Sequence, residues 1–264
     1  MIGGASTGRL MVTLHELFSG IQGEGVLVGV RQLFVRFHGC QLICAYCDTP
    51  ASRRAFPAAC LVERAPGARH FDEVPNPLDV EDLLGLIRAR YAGYPHHSVA
   101  FTGGEPLLHG EALNALLLAL HREGIATYLE TNGTLTDALR RLDEPPTYLA
   151  MDIKLPSATG GLALWDDHAT FLDAALACMD PRPCGALQVK LVFAAGCLEE
   201  VARAAALIAD RRRDLPTVLQ PVTAHPGGPV TPSPAETLDA QRLASERLSD
   251  VRVIPQTHVM LGQR

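Results

Sequence analysis

No apolar run in this chain approaches a membrane span. The longest, such as ALNALLLAL at 112–120, stop well short of the roughly 20 residues a bilayer helix requires. The N-terminal MIGGASTGRL has no apolar h-region, so no secretory leader is read there. Basic charge is also scarce. The formal net charge is −6, and the densest basic cluster, RRRD at 211–214, reads as a solvated helix end, so no nucleic-acid partner is expected. A repeat of fixed period is absent too. A cytoplasmic location follows as the default, where thiols stay reduced. The seven cysteines, an odd number, then read as metal ligands plus spare thiols, not as a disulfide framework. With 47% hydrophobic and 20% charged residues, a chain of 264 can build a sizeable core in one large domain or two small ones.

The apolar pattern alternates between two kinds of segment. Short β-rich runs lie at LFVRF (33–37), SVAFT (98–102), ATYLET (126–131), YLAMDI (148–153), LQVKLVF (187–193), TVLQPV (217–222) and VRVI (251–254). Most are separated by helical patterns, at 80–91, 111–123, 167–179, 198–212 and 234–248, with Asp79 suited to cap the first and Gly124 to end the second. Alternation of this kind predicts an α/β fold of right-handed βαβ units around a parallel sheet. Seven strands fall short of the eight of a closed TIM barrel, so the expected architecture is a single-domain, partial (open) TIM-like barrel with helices outside. A doubly wound sheet is the alternative. Residues 51–79 and the Pro/Gly stretch 224–234 read as inserted loops, not as domain boundaries.

In such folds ligands bind at the C-terminal ends of the strands. Polar or glycine-rich residues collect there: the cysteine segment, TGGEP (102–106), ETNGT (130–134), DIKLP (152–156), LQPV (219–222) and PQTH (255–258). Cys40, Cys44 and Cys47 are spaced C-x3-C-x2-C, with no fourth cysteine at ligand distance. Three close thiolates on one loop suit a cubane iron–sulfur cluster with one iron left open. A zinc site completed by His38, Cys60 or a distant cysteine is the alternative this spacing leaves. Cys60, Cys178, Cys184 and Cys197 read as spare thiols, with a Cys178–Cys184 metal pair as a lesser option. The two glycines of TGGEP allow a close backbone approach to a ligand, and Glu105 offers a carboxylate to an ammonium group. Lys154 either pairs with a carboxylate or is a solvated lysine beside a helix.

Together CQLICAYC, with Tyr46 beside its last cysteine, and TGGEP resemble the radical S-adenosylmethionine superfamily. That resemblance implies a 4Fe–4S cluster on Cys40, Cys44 and Cys47, whose open iron chelates S-adenosylmethionine and cleaves it to a 5′-deoxyadenosyl radical. It supersedes the zinc reading. SGIQGEG (19–25), the arginine of FVRFHGC, CDT, TGGEPLL, ETNGT, DIKLP, LQPV and PQTH further resemble the 7-carboxy-7-deazaguanine synthases, over nearly the whole chain from about Leu14. That likeness implies one radical SAM domain spanning 1–264, with 1–30 as an N-terminal extension carrying QGEG. The implied reaction converts 6-carboxy-5,6,7,8-tetrahydropterin to 7-carboxy-7-deazaguanine with loss of ammonia, assisted by magnesium, on the way to queuosine and other deazapurines.

Carried over residue by residue, the resemblance assigns Thr49 to magnesium, though by itself Thr49 reads as a local turn hydroxyl. Tyr46, Gly104, Glu105, Asp152, Lys154 and Gln220 fall on cofactor-binding positions. Ile21, Gln22, Gly23, Glu24, Arg36, Thr102 and His258 fall on substrate-binding positions, as does the terminal carboxylate of Arg264, for which a frayed tail is the alternative. The same resemblance implies a homodimer and an electron donor such as flavodoxin. The chain departs from the family's pattern at Val259, where lysine is frequent, and in the DIK segment, where serine and proline are common. A radical activase acting on a partner protein would share the cysteines but needs neither QGEG nor PQTH. A non-catalytic metal-binding scaffold is the third reading.

Overall fold

The computed structural model describes residues 9–53, 56–180, 186–224 and 226–263. The chain opens with β1 (Met11–Val12) and β2 (Leu14–Ile21), and β3 (Arg31–Phe37) returns antiparallel to β2. Beyond the cysteine segment come β4 (Ala59–Glu63), β5 (Phe71–Pro75) and β6 (Leu78–Asp79). Strand and helix then alternate: α1 (Val80–Tyr91), β7 (Ser98–Gly103), α2 (Gly110–Arg122), β8 (Thr127–Thr131), α3 (Thr136–Arg140) and β9 (Tyr148–Ile153). The series continues with α4 (Trp165–Met179), β10 (Leu187–Phe193), α5 (Leu198–Ala209), β11 (Thr217–Pro221), α6 (Pro234–Ser245), β12 (Val251–Val253) and α7 (Thr257–Met260). Asp79 caps α1 as expected, its Oδ1 accepting from the Glu81 N–H at 2.9 Å.

Ten strands form one sheet in the order β12-β11-β10-β9-β8-β7-β3-β2-β4-β5. The seven parallel members, β3 and β7 to β12, are the seven read from the sequence. Their order runs one way without reversing. A doubly wound sheet reverses at a switch point, so that alternative is excluded. β12 and β5 stand at opposite edges, and the TIM-like barrel is open. Among the described residues no helix is long and apolar enough to cross a membrane.

Residues 51–79 correct the loop expectation. β4 pairs parallel to β2 and antiparallel to β5, carrying the sheet past the barrel's first strand. The reason it escaped notice is physical: in the edge strand FDEVP no residue is buried, so its apolar pattern is weak. Within the 1–30 segment β2 is an integral strand rather than an extension. Among the described residues of 224–233 there is neither helix nor strand, as expected, and Pro234 opens α6.

Strand alternation sorts the side chains. Outward residues such as Val35, Phe101, Leu129, Met151 and Leu191 join Leu84, Leu117, Phe171 and Ile208 of the helices in the main core. On the inner face Phe34, Ala100, Tyr128 and Ala150, with Phe18 of β2, make a small apolar floor. Two residues further along the same strands the inner face carries Arg36, Thr102, Glu130 and Asp152, with Lys190 beside Asp152 on β10. The period of two therefore lays a charged layer directly above an apolar one, at the C-terminal ends of the strands.

Candidate active site

A cavity of about 430 Å³ opens above that charged layer, within the range of small-molecule sites. Its walls bring together all six rim segments read from the sequence, with Cys40, Thr102, Asn132, Asp152, Gln220 and His258 each on the lining. Ile21, Gln22, Gly23, Glu24, Arg36, Cys44, Tyr46, Cys47, Thr49, Gly104 and Lys154 line it as well. Glu105 does not, and Arg264 lies outside the described residues.

The cysteine loop is fixed by TGGEP. Gly104 donates to Phe37 O at 3.1 Å and Glu105 N to Gly39 O at 2.7 Å. A Cβ on Gly104 would sit 1.8 Å from Gly39 O, so this contact requires glycine. The glycine thus serves a backbone-to-backbone contact with the cysteine loop as well as lining the cavity. Glu105 is fully buried, and its carboxylate accepts from Leu107 N (3.0 Å), Thr131 Oγ1 (2.9 Å) and Asn132 N (2.7 Å). Burial pushes that carboxyl up to about 7 against these donors. It braces the loop after β8 and offers no oxygen to the cavity.

Burial raises the Cys40 and Cys44 thiols above their ordinary range. Bare thiolates are costly there, and a metal centre that takes them as ligands removes that cost. Cys60 is buried in the main core, and Cys197 Sγ lies 3.1 Å from Ser157 Oγ. Neither lines the cavity, nor do His38 and Cys178; Cys184 lies outside the described residues. Three cysteine ligands and no fourth is therefore the arrangement that faces the cavity among the described residues. Three buried polar atoms of lining residues, Tyr46 Oη, Arg53 Nε and Gln220 Oε1, have no partner among the described residues. Buried polar groups are satisfied as a rule, so these three point to a bound polar ligand.

An ion network that sequence reading missed crosses the cavity floor. Lys190 Nζ pairs with Glu24 Oε2 and lies 3.4 Å from Asp152 Oδ1, while Lys154 Nζ lies 2.6 Å from Asp152 Oδ2. Burial pushes Glu24 up, but the charge and hydrogen bond of Lys190 outweigh it and leave the carboxyl at about 2. Burial likewise lowers Lys190 and Lys154, and the neighbouring carboxylates, Asp152 foremost, more than reverse it. Glu130 is the third acid of the layer. It accepts from Thr102 Oγ1 at 2.6 Å and Gln22 Nε2 at 3.1 Å, and burial holds its carboxyl above the usual range despite Lys190. The available signal was a single charge in the otherwise apolar strand LQVKLVF, at a position whose parity with Gln188 aims it inward.

Gln22 is used internally as well. Its amide also donates to Gln32 Oε1 at 3.0 Å, and its oxygen accepts from Glu24 N at 3.0 Å, setting the direction of the Glu24 side chain. The C-terminal segment closes over this corner. Thr257 N donates to Gly23 O at 2.9 Å, and a Cβ on Gly23 would fall 2.3 Å from His258 Nδ1. Gln256 Nε2 bridges Glu24 Oε1 (2.8 Å) and Asp48 Oδ2 (3.0 Å). Glu24, Asp48 and His258 offer ligand atoms all within 4.8 Å of one another. Beyond α7, Arg69 Nη2 donates to Gly262 O at 3.2 Å, so the 51–79 segment grips the tail. The tail is docked, not frayed, through Gln263.

Two further braces hold the rim. Thr49 O accepts from Ser52 N at 3.0 Å, forming the local turn, while its hydroxyl stays 4.0 Å from Cys47 Sγ. Buried His168 accepts from Lys154 N at 2.9 Å and donates to Gly133 O at 2.9 Å, locking the loops after β8 and β9 together. Arg36 is tied to Glu16 at 2.7 Å.

Residues 34–166, half of the chain, match the Radical SAM superfamily model. A curated relative named 7-carboxy-7-deazaguanine synthase, from Geobacter sulfurreducens, is 42% identical over 95% of this chain and 97% of its own length. One of the same name from Methanopyrus kandleri is 34% identical over 95% of this chain and 93% of its own. Among solved structures, QueE from Escherichia coli superimposes with a TM-score of 0.60 at 23% identity, covering 93% of this chain and 94% of that one. A TYW1 structure with a lysine-pyruvate adduct gives 0.51 at 16% identity, over 82% of this chain and 74% of the other. At those identities the two structures speak for the fold alone.

Proposed function

This chain belongs to the 7-carboxy-7-deazaguanine synthase family of the radical SAM superfamily, and from that membership we propose that its cavity converts 6-carboxy-5,6,7,8-tetrahydropterin to 7-carboxy-7-deazaguanine with loss of ammonia. The observation that carries the site assignment is the joining, in one cavity, of a three-cysteine loop with no fourth cysteine among the described residues and a carboxylate, Glu24, held charged beside Asp48 and His258. Cys40, Cys44 and Cys47 would hold the 4Fe–4S cluster, leaving its fourth iron to S-adenosylmethionine. When bound, these groups supply a one-electron cleavage of the sulfonium that begins the reaction by hydrogen-atom abstraction.

The chain's own residues bind and orient. Glu24 accepts the row of N–H donors on the pterin's guanidine-like edge, a two-pronged pairing that fixes the ring's direction. Gln22 and Lys190 hold Glu24 in place for it. Lys154 would pair with the carboxylate of the cofactor's methionine and Asp152 with its ammonium, and Gln220 Oε1 and Tyr46 Oη would find their missing partners on it. Gly104 lets the TGGEP backbone reach both the cysteine loop and the ligand, whereas Glu105 acts as a brace. His258, Gln256 and the docked tail exclude water from the pterin's end, with Arg36, Thr102 and the main chain of Ile21 and Gly23 on its walls.

Thr49 would provide an oxygen to a magnesium ion, a hard cation on hard ligands, whose charge would serve to orient the substrate's carboxylate. We read 1–264 as one domain, a cytoplasmic homodimer, and a flavodoxin-like protein as reductant; family resemblance is the support for each. Anaerobic reconstitution with iron and sulfide, followed by S-adenosylmethionine, reductant and the pterin, tests the reaction. Formation of 7-carboxy-7-deazaguanine by mass, one for each ammonia, is expected. Cofactor cleavage that never yields this product would refute the substrate.

A further inference from the structure

We infer that Lys190 is a positioning residue that couples the substrate end of the cavity to the cofactor end. The inference rests on the functional reading above. Five side chains form one unbroken path across the floor: Gln256 to Glu24 (2.8 Å), Glu24 to Lys190, Lys190 to Asp152 (3.4 Å) and Asp152 to Lys154 (2.6 Å). Lys190 is divided between buried Glu24 and half-buried Asp152, with half-buried Glu130 also acting on its charge, and Asp152 is in turn shared with Lys154. Glu24 lies at the pterin end of this path and Lys154 at the cofactor end.

The register makes the link direct. Lys190 and Asp152 are opposite one another on the parallel neighbours β10 and β9, and the QGEG loop is pinned to the same strand, with Val26 N donating to Gln188 Oε1 at 2.7 Å. When a ligand's N–H donors engage Glu24, they draw on the same oxygens that hold Lys190. Lys190 then leans on Asp152, which loosens its hold on Lys154 and frees that ammonium for the cofactor's carboxylate. By linkage the cofactor strengthens substrate binding by the same factor. Nothing in this path transfers a proton, and each step exchanges one ionic contact for another.

The test measures S-adenosylmethionine affinity with and without the pterin, on cluster-loaded protein without reductant, so that no turnover intervenes. In the unmodified chain the pterin should tighten cofactor binding roughly 5–150-fold. Lys190→Met should bring that factor near one with the cluster absorbance intact, and Lys190→Arg, which still spans both acids, should restore most of it. If Lys190→Met fails to fold, Lys190→Gln keeps a polar end without the charge and should also bring the coupling factor near one. A coupling factor unchanged in a folded Lys190→Met or Lys190→Gln variant would overturn the role of Lys190 alone. No pterin binding by the unmodified protein would overturn the functional reading and this role with it.

Discussion

Acidification should loosen the rim of the site through one buried histidine. His168 is fully buried, accepts from Lys154 N–H, and donates from the other ring nitrogen to Gly133 O. Burial holds its pKa down at about 4, against about 6.5 in an unfolded chain. The folded state therefore favours the neutral ring, and the unfolded state takes up the proton first as pH falls. The stabilisation is complete above about pH 6.5 and is lost progressively toward pH 4. Linkage with these two values puts the loss at about 2 kcal/mol by pH 5 and about 3 kcal/mol at the limit. Urea unfolding of the cluster-free chain, followed by far-ultraviolet circular dichroism at pH 7.5 and pH 5, reads it directly. His168→Gln keeps an amide capable of both contacts and removes the titration, so its stability should fall by about 2 kcal/mol less over the same interval. Equal losses in both proteins would refute the neutral, loop-locking histidine.

Replacing Cys40, Cys44 or Cys47 with alanine should abolish the cluster's brown absorbance and all cofactor cleavage, whereas Cys60→Ala should keep its iron and lose only stability; iron lost from the Cys60 variant would contradict the three-ligand site. Glu105→Gln should leave the cofactor's binding enthalpy contacts in place but destabilise the loop after β8 by about 1–3 kcal/mol, measured by denaturation, because a buried acceptor set is disturbed; an unchanged midpoint would contradict the brace. Product formation should slow without magnesium and Thr49→Ala should blunt that dependence; full activity in chelator, with the ion demonstrably absent, would remove the ion from the account. A C-terminal tag, or deletion of Gly262 to Arg264, should raise the apparent KM for the pterin while cluster content and uncoupled cofactor cleavage persist; unaltered kinetics would return the tail to solvent.

Much of the fold was legible because its seven parallel strands are apolar on the helix side and separated by strongly periodic helices. β4 and β5 were not, since an edge hairpin with Asp72 and Glu73 exposed carries little apolar signal. The rim motifs were legible as types of residue, and the cavity gathers them. What a linear reading could not give is which polar atoms are already engaged. Glu105 and Gln22 look like ligand contacts in sequence, yet their side chains are satisfied within the protein. Lys190 and Glu130 looked like strand residues, and only the register on the inner face shows them beneath the cavity.

The claim at the centre of this account is that Glu24 holds the pterin in the cavity that the cysteine loop lines. Glu24→Gln in the reconstituted protein tests it most directly, by following deazaguanine formation and pterin-independent cofactor cleavage in parallel. The account predicts that the first falls by at least roughly tenfold, since losing a charge-assisted hydrogen bond costs about 1.5–3 kcal/mol, while the second and the cluster absorbance are retained. Deazaguanine formation at the unmodified rate would contradict it.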